Sequence, residues 1–146
     1  MEYQKTFEAR WADVDINGHM RHSAYNDYAA HVRVKMFEDF GYSLTKLMQL
    51  GIGPVLFREE IHFKNELALD ETFTVNCELE AARPSVKIWK MKHTVCKTDG
   101  TIAAIINVDG GWLDLKLRKV VNPPQEIVQL MHKIPKSPHF QMLEGH

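Results

Sequence analysis

The side chains best suited to chemistry lie together near the N-terminus, in a polar segment that precedes an apolar run. The segment holds two carboxylates, an amide, a glycine and two imidazoles, contributed by Asp13, Asp15, Asn17, Gly18, His19 and His22. A carboxylate placed there could activate water or attack a carbonyl carbon directly. The N–H groups at the start of a following helix could polarise that carbonyl and stabilise the oxyanion formed on attack. The segment therefore indicates a site for attack on a carbonyl group.

A structural interpretation of the same segment stays open on local chemistry alone. Aspartate and asparagine side chains often build turns and accept hydrogen bonds from nearby backbone N–H groups. His19 would then be a solvated loop residue. Aspartate-rich loops before helices are common, so the residue types by themselves do not decide between the two interpretations.

The segment is followed by a pattern that predicts a long amphipathic helix. Ser23 is a suitable N-cap and Gly41 a suitable stop. Between them, apolar residues recur at three- and four-residue steps, at Tyr25, Tyr28, Ala29, Val32, Met36, Phe37 and Phe40. Charged residues interrupt this stripe and are expected on the solvent side, namely His31, Arg33, Lys35, Glu38 and Asp39. The helix should therefore lie with one face on a sheet.

The other segments predict mainly strands. Residues 3–10 suggest a first strand, and residues 43–50 a short second helix. From Val55 onward, apolar and polar residues alternate, with breaks at residues 69–71, 83–85 and 97–100, a bulge or kink at 109–112, and a short helix at 125–131 after two prolines. This order predicts an α+β domain over residues 1–134, with one long helix on a curved antiparallel sheet. The tail, residues 135–146, has little pattern and is expected to be mobile.

Composition narrows the class of protein further. A chain of 146 residues with 45% hydrophobic residues can bury the core of one domain. A net charge of −1 supplies no basic surface for nucleic acid or for an anionic membrane. Cys77 and Cys96 lack metal-site spacing, and buried thiols are expected. Without a signal-like or membrane-spanning apolar run, we expect a cytoplasmic protein.

One motif resembles a known family. The string Asp-Val-Asp-Ile-Asn-Gly-His-Met at residues 13–20, followed by Tyr25, resembles the D-x-D-x-x-G-H-[VM]-x-x-x-x-Y signature of hot-dog-fold thioesterases. The 4-hydroxybenzoyl-CoA thioesterase-like and acyl-carrier-protein thioesterase groups are the most similar, and the resemblance extends over residues 3–131. It implies a hot-dog fold, in which a curved antiparallel sheet wraps a long central helix. It also implies hydrolysis of an acyl-CoA or acyl-carrier thioester, with no metal and no other cofactor.

The resemblance also implies roles for individual residues. The usual catalytic carboxylate, a general base or a nucleophile, falls on Asp15, and the assisting asparagine and histidine fall on Asn17 and His19. A glutamate that follows the central helix falls on Glu66. Glu59 is a competing carboxylate, because it lies mid-strand in an apolar alternation where a buried charge would need a partner.

The substrate would be held, on the same resemblance, by two groups of residues. The thioester carbonyl would lie against N–H groups between Gly18 and Tyr25. The coenzyme A nucleotide would meet Arg83 and Ser85 of the Arg-x-Ser turn and the late Arg118, since guanidinium groups suit phosphate oxygens. Solvated turn or rim residues are the alternative for these three. Family members build their sites between subunits, so a homodimer or homotetramer is expected.

Two other functions remain open at this point. Hydratases and dehydratases share the hot-dog fold and act on acyl-CoA with an acidic residue and a histidine, and fold alone does not choose between them and a thioesterase. A non-catalytic acyl-CoA binding module would keep the nucleotide contacts without needing Asp15. The acyl group, and the choice between coenzyme A and a carrier protein, depend on tertiary packing and are not predicted.

Overall fold

The elements of the chain are those of an α+β domain with a single dominant sheet. A computed structural model describes residues 2–145. Its helices are α1 (Ala24–Asp39), α2 (Leu44–Leu50) and α3 (Gln125–His132). Its strands are β1 (Gln4–Glu8), β2 (Ile52–Phe63), β3 (Thr72–Asn76), β4 (Glu78–Ala82), β5 (Ile88–Lys97), β6 (Ile102–Asp114), β7 (Lys119–Val120) and β8 (Lys136–Met142). A short 3-10 turn, Trp11–Asp13, follows β1.

The sheet is centred on its two long strands, β5 and β6. β6 pairs with β5 on one side and with β2 on the other, while β5 also pairs with β3 and β4. β1 extends the sheet beyond β3, and β8 extends it beyond β4. All of these pairings are antiparallel except that of β4 with β8. Within residues 2–145, β2 pairs with β6 alone, so its outer edge is free.

Helix α1 lies on the inner face of this sheet, as its apolar stripe predicted. Tyr28 packs edge-to-face on Phe73 with ring centroids 5.1 Å apart, and Phe37 packs on Trp112 at 5.7 Å. Arg33, expected on the solvent side, is instead only 9% exposed. No helix in the described range is long and apolar enough to span a membrane.

The ends of α1 and α2 differ in how they are capped. Ser23 occupies the predicted N-cap position of α1, but its hydroxyl accepts a hydrogen bond from Nε of Arg21 instead of capping the helix. Ser43 does cap α2, accepting from the backbone N–H of Lys46. The first turn of α1 therefore has no side-chain cap.

The predicted bulge lies on a different strand from the glycine pair at residues 110–111. β6 runs through these glycines without a break, and the register shift falls on β2 between Leu56 and Arg58. Gly110 allows close packing, since a Cβ there would lie 2.6 Å from the carbonyl oxygen of Val55 and would overlap the indole ring of Trp89.

Two further differences concern strand boundaries. The strand predicted between Phe73 and Leu79 is two strands, separated at Cys77, whose N–H binds the carbonyl of Tyr3. The tail, expected to have little structure, forms β8, which begins where the N–H of Leu79 binds the carbonyl of Pro135. β8 is an outer strand, where Pro138 is tolerated because one edge needs no hydrogen-bond donor.

Candidate active site

The loop before α1 is folded back on itself as a tight turn. Val14 and Met20 form a β-bridge across its base. The N–H of Asp15 binds the carbonyl of His19 at 2.8 Å, and the N–H of Gly18 binds the carbonyl of Asp15 at 3.0 Å. Gly18 has φ of +77°, a left-handed conformation that glycine adopts without strain. The turn therefore fixes the direction of the side chains of Asp15 and His19.

A second segment, between β2 and β3, anchors this turn. The N–H of Met20 donates to the carbonyl of Leu67 at 2.7 Å, and the N–H of Leu69 donates to the carbonyl of Gly18 at 3.0 Å. This pairing places the imidazole of His19 beside Glu66, the residue before Leu67. Nδ1 of His19 lies 3.3 Å from Oε2 of Glu66. The two residues are far apart in sequence, and the backbone pairing is what brings them together.

The carboxylate of Asp15 is held through one oxygen. Its Oδ1 accepts the backbone N–H of Asn17 at 2.9 Å and that of His19 at 3.2 Å. Asp15 is exposed to solvent, and its Oδ2 has no hydrogen-bond donor among the described residues. One oxygen thus orients the group, and the other is free to accept a proton or to attack.

A cavity of about 320 Å³ opens beside this carboxylate. Four of the residues predicted from the sequence line it, namely Asp15, His19, Tyr25 and Glu66. Tyr25 stands at the start of α1 and packs edge-to-face on Phe63 at the end of β2, with ring centroids 5.3 Å apart. The cavity therefore lies where the uncapped N-terminus of α1 meets the end of β2.

The remaining predicted residues do not line this cavity. Asn17 lies in the same turn and is exposed, contributing its backbone N–H to Asp15. Glu59 pairs with the buried Val108, so it lies on the α1 side of the sheet, but it is exposed at the sheet edge.

The three residues predicted to hold the nucleotide, Arg83, Ser85 and Arg118, lie at the opposite end of the sheet. They belong to turns beside Trp112, whose N–H binds the carbonyl of Lys87. The cavity adjoins the other end of β6, where the N–H of Asn65 binds the carbonyl of Ala103. At about 3.3 Å per residue, roughly 30 Å of β6 separates these ends.

Five further residues line the cavity, and the sequence assigned none of them a role. His22 was noted only as one of the polar residues before the helix and Met20 only as part of the motif, while Phe63, Lys64 and Asn65 were not singled out. His22 and Lys64 each add a basic side chain, three residues after His19 and two residues before Glu66. Asn65 supports the wall, since its Nδ2 donates to the carbonyl of Ile102 at 2.8 Å. Proximity in sequence to His19 and Glu66 was the available signal.

Asp13, the other carboxylate of the motif, is buried behind the turn. Its oxygens accept from Nε of Arg10 at 2.9 Å and from the hydroxyl of Tyr28 at 2.6 Å, with Arg21 3.6 Å away. Hydrogen bonding to Arg10 is the largest cause that lowers the pKa of Asp13; burial opposes it, and Tyr28 and Arg21 lower it further. Asp13 therefore connects the turn to α1 and does not face the cavity.

The side chains around the cavity do not form a metal site. Among residues 2–145, no three histidine, cysteine or carboxylate side chains are grouped closely enough to hold a metal ion.

A long helix wrapped by a curled antiparallel sheet, with a carboxylate turn at the start of the helix, is the architecture of a hot-dog domain. Family comparison agrees, because the model of the thioesterase-like superfamily matches residues 9–131. The chain belongs to this superfamily.

Solved structures with the same fold include one of a hypothetical protein from Staphylococcus aureus in complex with CoA. It has a TM-score of 0.86 and 21% identity, over 94% of this chain and 87% of that one. A 1,4-dihydroxy-2-naphthoyl-CoA thioesterase from Synechocystis has a TM-score of 0.80 and 14% identity, over 91% and 97% of the two chains. A DHNA-CoA thioesterase from Staphylococcus aureus has a TM-score of 0.80 and 16% identity, over 90% and 89%. These similarities establish the fold.

Proposed function

We propose that this protein hydrolyses the thioester of an acyl-CoA, or of a related acyl carrier, to a free acid and a thiol. The observation that supports it most is the convergence of Asp15, His19 and Glu66 on one cavity at the start of α1, in a chain of the thioesterase-like superfamily. Two of the solved relatives are named as acyl-CoA thioesterases, and a third was solved with CoA bound.

In the proposed reaction, Asp15 acts on the carbonyl carbon directly or through water. As a general base, its free oxygen takes a proton from water while the water oxygen bonds to the carbonyl carbon. The tetrahedral intermediate then collapses, the C–S bond breaks, and the departing sulfur takes up a proton. As a nucleophile, Asp15 itself would displace the thiol and form an anhydride that water then cleaves.

The other groups would orient and polarise the reactants. The first turn of α1 has no side-chain cap, so its N–H groups are suited to stabilise negative charge on the carbonyl oxygen near Tyr25. Nδ1 of His19 faces Glu66, which leaves its Nε2 to orient water or the thioester. Asn17 would help to hold the substrate from the exposed side of the turn.

We also propose that the active unit contains at least two copies of the chain. Arg83, Ser85 and Arg118 lie too far from the cavity of their own chain to contact a nucleotide whose thioester is bound beside Asp15. A second copy could supply them across a two-fold axis.

The free edge of β2 offers a place for this contact. If two β2 strands pair antiparallel about Glu59, each Arg58 lies opposite Glu60 of the partner subunit, so that two pairs of opposite charge flank the two exposed Glu59 side chains. Light scattering should then give twice the chain mass of 16.9 kDa, or a larger even multiple. A mass of one chain at assay concentration would contradict the proposal.

Thioester hydrolysis is tested by following thiol release from a panel of aliphatic and aromatic acyl-CoAs. We expect release from at least one member, abolished when the protein is heat-denatured. Binding of CoA without release from any member would favour the binding module. Loss of ultraviolet absorbance from an enoyl-CoA without thiol release would favour a hydratase.

A further inference from the structure

A second cavity lies between α1 and β2, and it shares no residue with the one beside Asp15. Its volume is about 140 Å³, close to that of engineered cavities that hold one benzene molecule. Its walls are apolar apart from one cation, and they include Ala30, Val34, Phe37, Leu56, Trp89 and Arg33. A buried guanidinium in an apolar cavity is unusual and calls for a partner.

Among residues 2–145, Arg33 has one hydrogen-bond partner, and that partner is neutral. Its Nη1 lies 3.0 Å from Nε2 of His93. Burial and then the charge of Arg33 lower the pKa of His93 to about 3. Nδ1 of His93 lies 2.8 Å from the carbonyl oxygen of Asn76, so it carries the proton and donates there, while Nε2 accepts from Arg33. His93 therefore fixes the guanidinium in place without neutralising its charge.

No anion in the described part of the chain balances this charge. Among residues 2–145, no carboxylate lies within ion-pairing distance of Arg33. Burial lowers the pKa of Arg33, and the thiol of Cys77 and the exposed carboxylate of Glu59 oppose this only in part. The guanidinium is thus a buried donor group with most of its N–H bonds unused.

Trp89 also lines the cavity, but its indole N–H is not offered to a ligand. That nitrogen is buried and has no hydrogen-bond partner among residues 2–145. The cavity therefore combines apolar walls with one cationic donor group and no acidic side chain. The chemical complement of such a site is a small apolar group that ends in an acceptor, and a planar guanidinium can hold a carboxylate through two parallel hydrogen bonds.

We propose that this cavity binds a carboxylate, with Arg33 as the anion-binding residue and the apolar walls around the attached chain or ring. The carboxylate could belong to a free organic acid or to the far end of an acyl group. The second source rests on the proposed thioesterase function. Tyr25, at the Asp15 cavity, and Arg33 are separated by about 12 Å along α1. A medium-length acyl chain that runs along α1 from Asp15 would therefore be long enough to reach Arg33.

The test compares benzoate with benzyl alcohol, which has a similar shape but no charge. Isothermal titration of the full chain should show benzoate binding at least about tenfold more tightly, a difference of about 1.4 kcal/mol. Arg33→Met keeps the length of the side chain and removes the charge, and should abolish this preference while leaving the binding of benzyl alcohol unchanged. Equal binding of the two ligands by the parent, or an unchanged preference in Arg33→Met, would overturn the proposal.

A second variant keeps Arg33 and fills the space. Ala30→Leu adds volume from α1 into the cavity and should weaken both ligands together. Circular dichroism and thermal melting show whether each variant is folded. If Arg33→Met does not fold, undiminished benzoate binding by folded Ala30→Leu would place the anion elsewhere and overturn the proposal.

The two sources of the carboxylate are separated by kinetics with octanoyl-CoA and suberyl-CoA, which carries an additional terminal carboxylate. If the acyl group supplies it, kcat/KM should favour suberyl-CoA in the parent, and Arg33→Met should reverse that preference. If a free acid supplies it, the two thioesters should be hydrolysed alike while benzoate still depends on Arg33. Absence of thiol release from these two and from every other acyl-CoA of the panel would refute the thioesterase proposal and leave the benzoate titration intact.

Discussion

Asp15→Asn is expected to lower kcat for thioester hydrolysis by a factor of about 10² to 10⁴, the usual contribution of a general base. The amide keeps an oxygen that can accept the N–H groups of Asn17 and His19, so the turn should keep its shape. What the amide loses is the second oxygen, which is free in the parent to take a proton or to attack. KM should change little, because Asp15 is proposed to act on the thioester carbonyl and not to bind the phosphates of the substrate.

The measurement is the initial rate of thiol release, with the melting temperature recorded for each protein. Asp70→Asn is the matched control, since Asp70 is exposed in a nearby loop, does not line the cavity, and has a positive φ that asparagine tolerates. It should hydrolyse at the parent rate. Equal kcat in Asp15→Asn and the parent would remove Asp15 from the mechanism.

The same residue allows the two proposed mechanisms to be separated. In a single turnover in water enriched in oxygen-18, an anhydride intermediate can leave the heavy isotope in the Asp15 carboxylate, because water attacks the anhydride. A general base transfers only a proton and should leave the carboxylate unlabelled. Oxygen-18 in the Asp15 carboxylate, detected by mass spectrometry of the peptide that contains it, would establish the anhydride mechanism.

The helix and most strands were predictable because each has a local pattern with a physical cause. The apolar stripe of α1 repeats at helical spacing, and the long strands alternate between buried and exposed residues. β8 was not predictable, because its sequence contains Pro138 and several polar residues and lacks the alternation of a strand. Its strand conformation comes from the pairing with β4. Arg33 was misplaced for a similar reason, because its partner His93 comes from a distant strand.

The candidate site was predictable only in part. Local chemistry gave a polar turn before a helix, and the family resemblance singled out Asp15. The approach of His19 to Glu66 requires the backbone pairing between the turn and residues 67–69, which no sequence pattern shows. The position of Arg118 far from Asp15 is likewise a property of the sheet, and it is the reason for proposing a second copy.

Asp13→Asn is expected to lower the free energy of unfolding by about 2–4 kcal/mol at neutral pH, with little effect on kcat per folded molecule. Asp13 is 3% exposed and accepts hydrogen bonds from Arg10 and Tyr28. An asparagine at this position would lose the charge that pairs with Arg10. Its NH₂ group would also face a hydrogen-bond donor, Arg10 or the hydroxyl of Tyr28, in place of the acceptor that the donor now has. The two aspartates of the motif should thus separate, with Asp15 governing rate and Asp13 governing stability.

The effect of Asp13 should also depend on pH. Hydrogen bonding to Arg10 holds the pKa of Asp13 below its ordinary value in the folded protein. Between the folded and unfolded pKa values the unfolded chain binds more protons, so stability rises with pH. The contribution of Asp13 is therefore complete above about pH 4, where an unfolded aspartate is ionised, and is lost as the pH falls through the folded value.

Urea unfolding of the parent and Asp13→Asn, at neutral pH and in acid, tests both the loss of stability and its dependence on pH. The difference in unfolding free energy between them should shrink as the pH falls below about 4. Asp27→Asn is the control, because Asp27 is exposed in the first turn of α1 and should cost no more than about 1 kcal/mol. If the difference in unfolding free energy stays constant into acid, Asp13 acts through its shape and not its charge. If the parent and Asp13→Asn are equally stable at neutral pH, the hydrogen bonds of Asp13 with Arg10 and Tyr28 do not hold the turn.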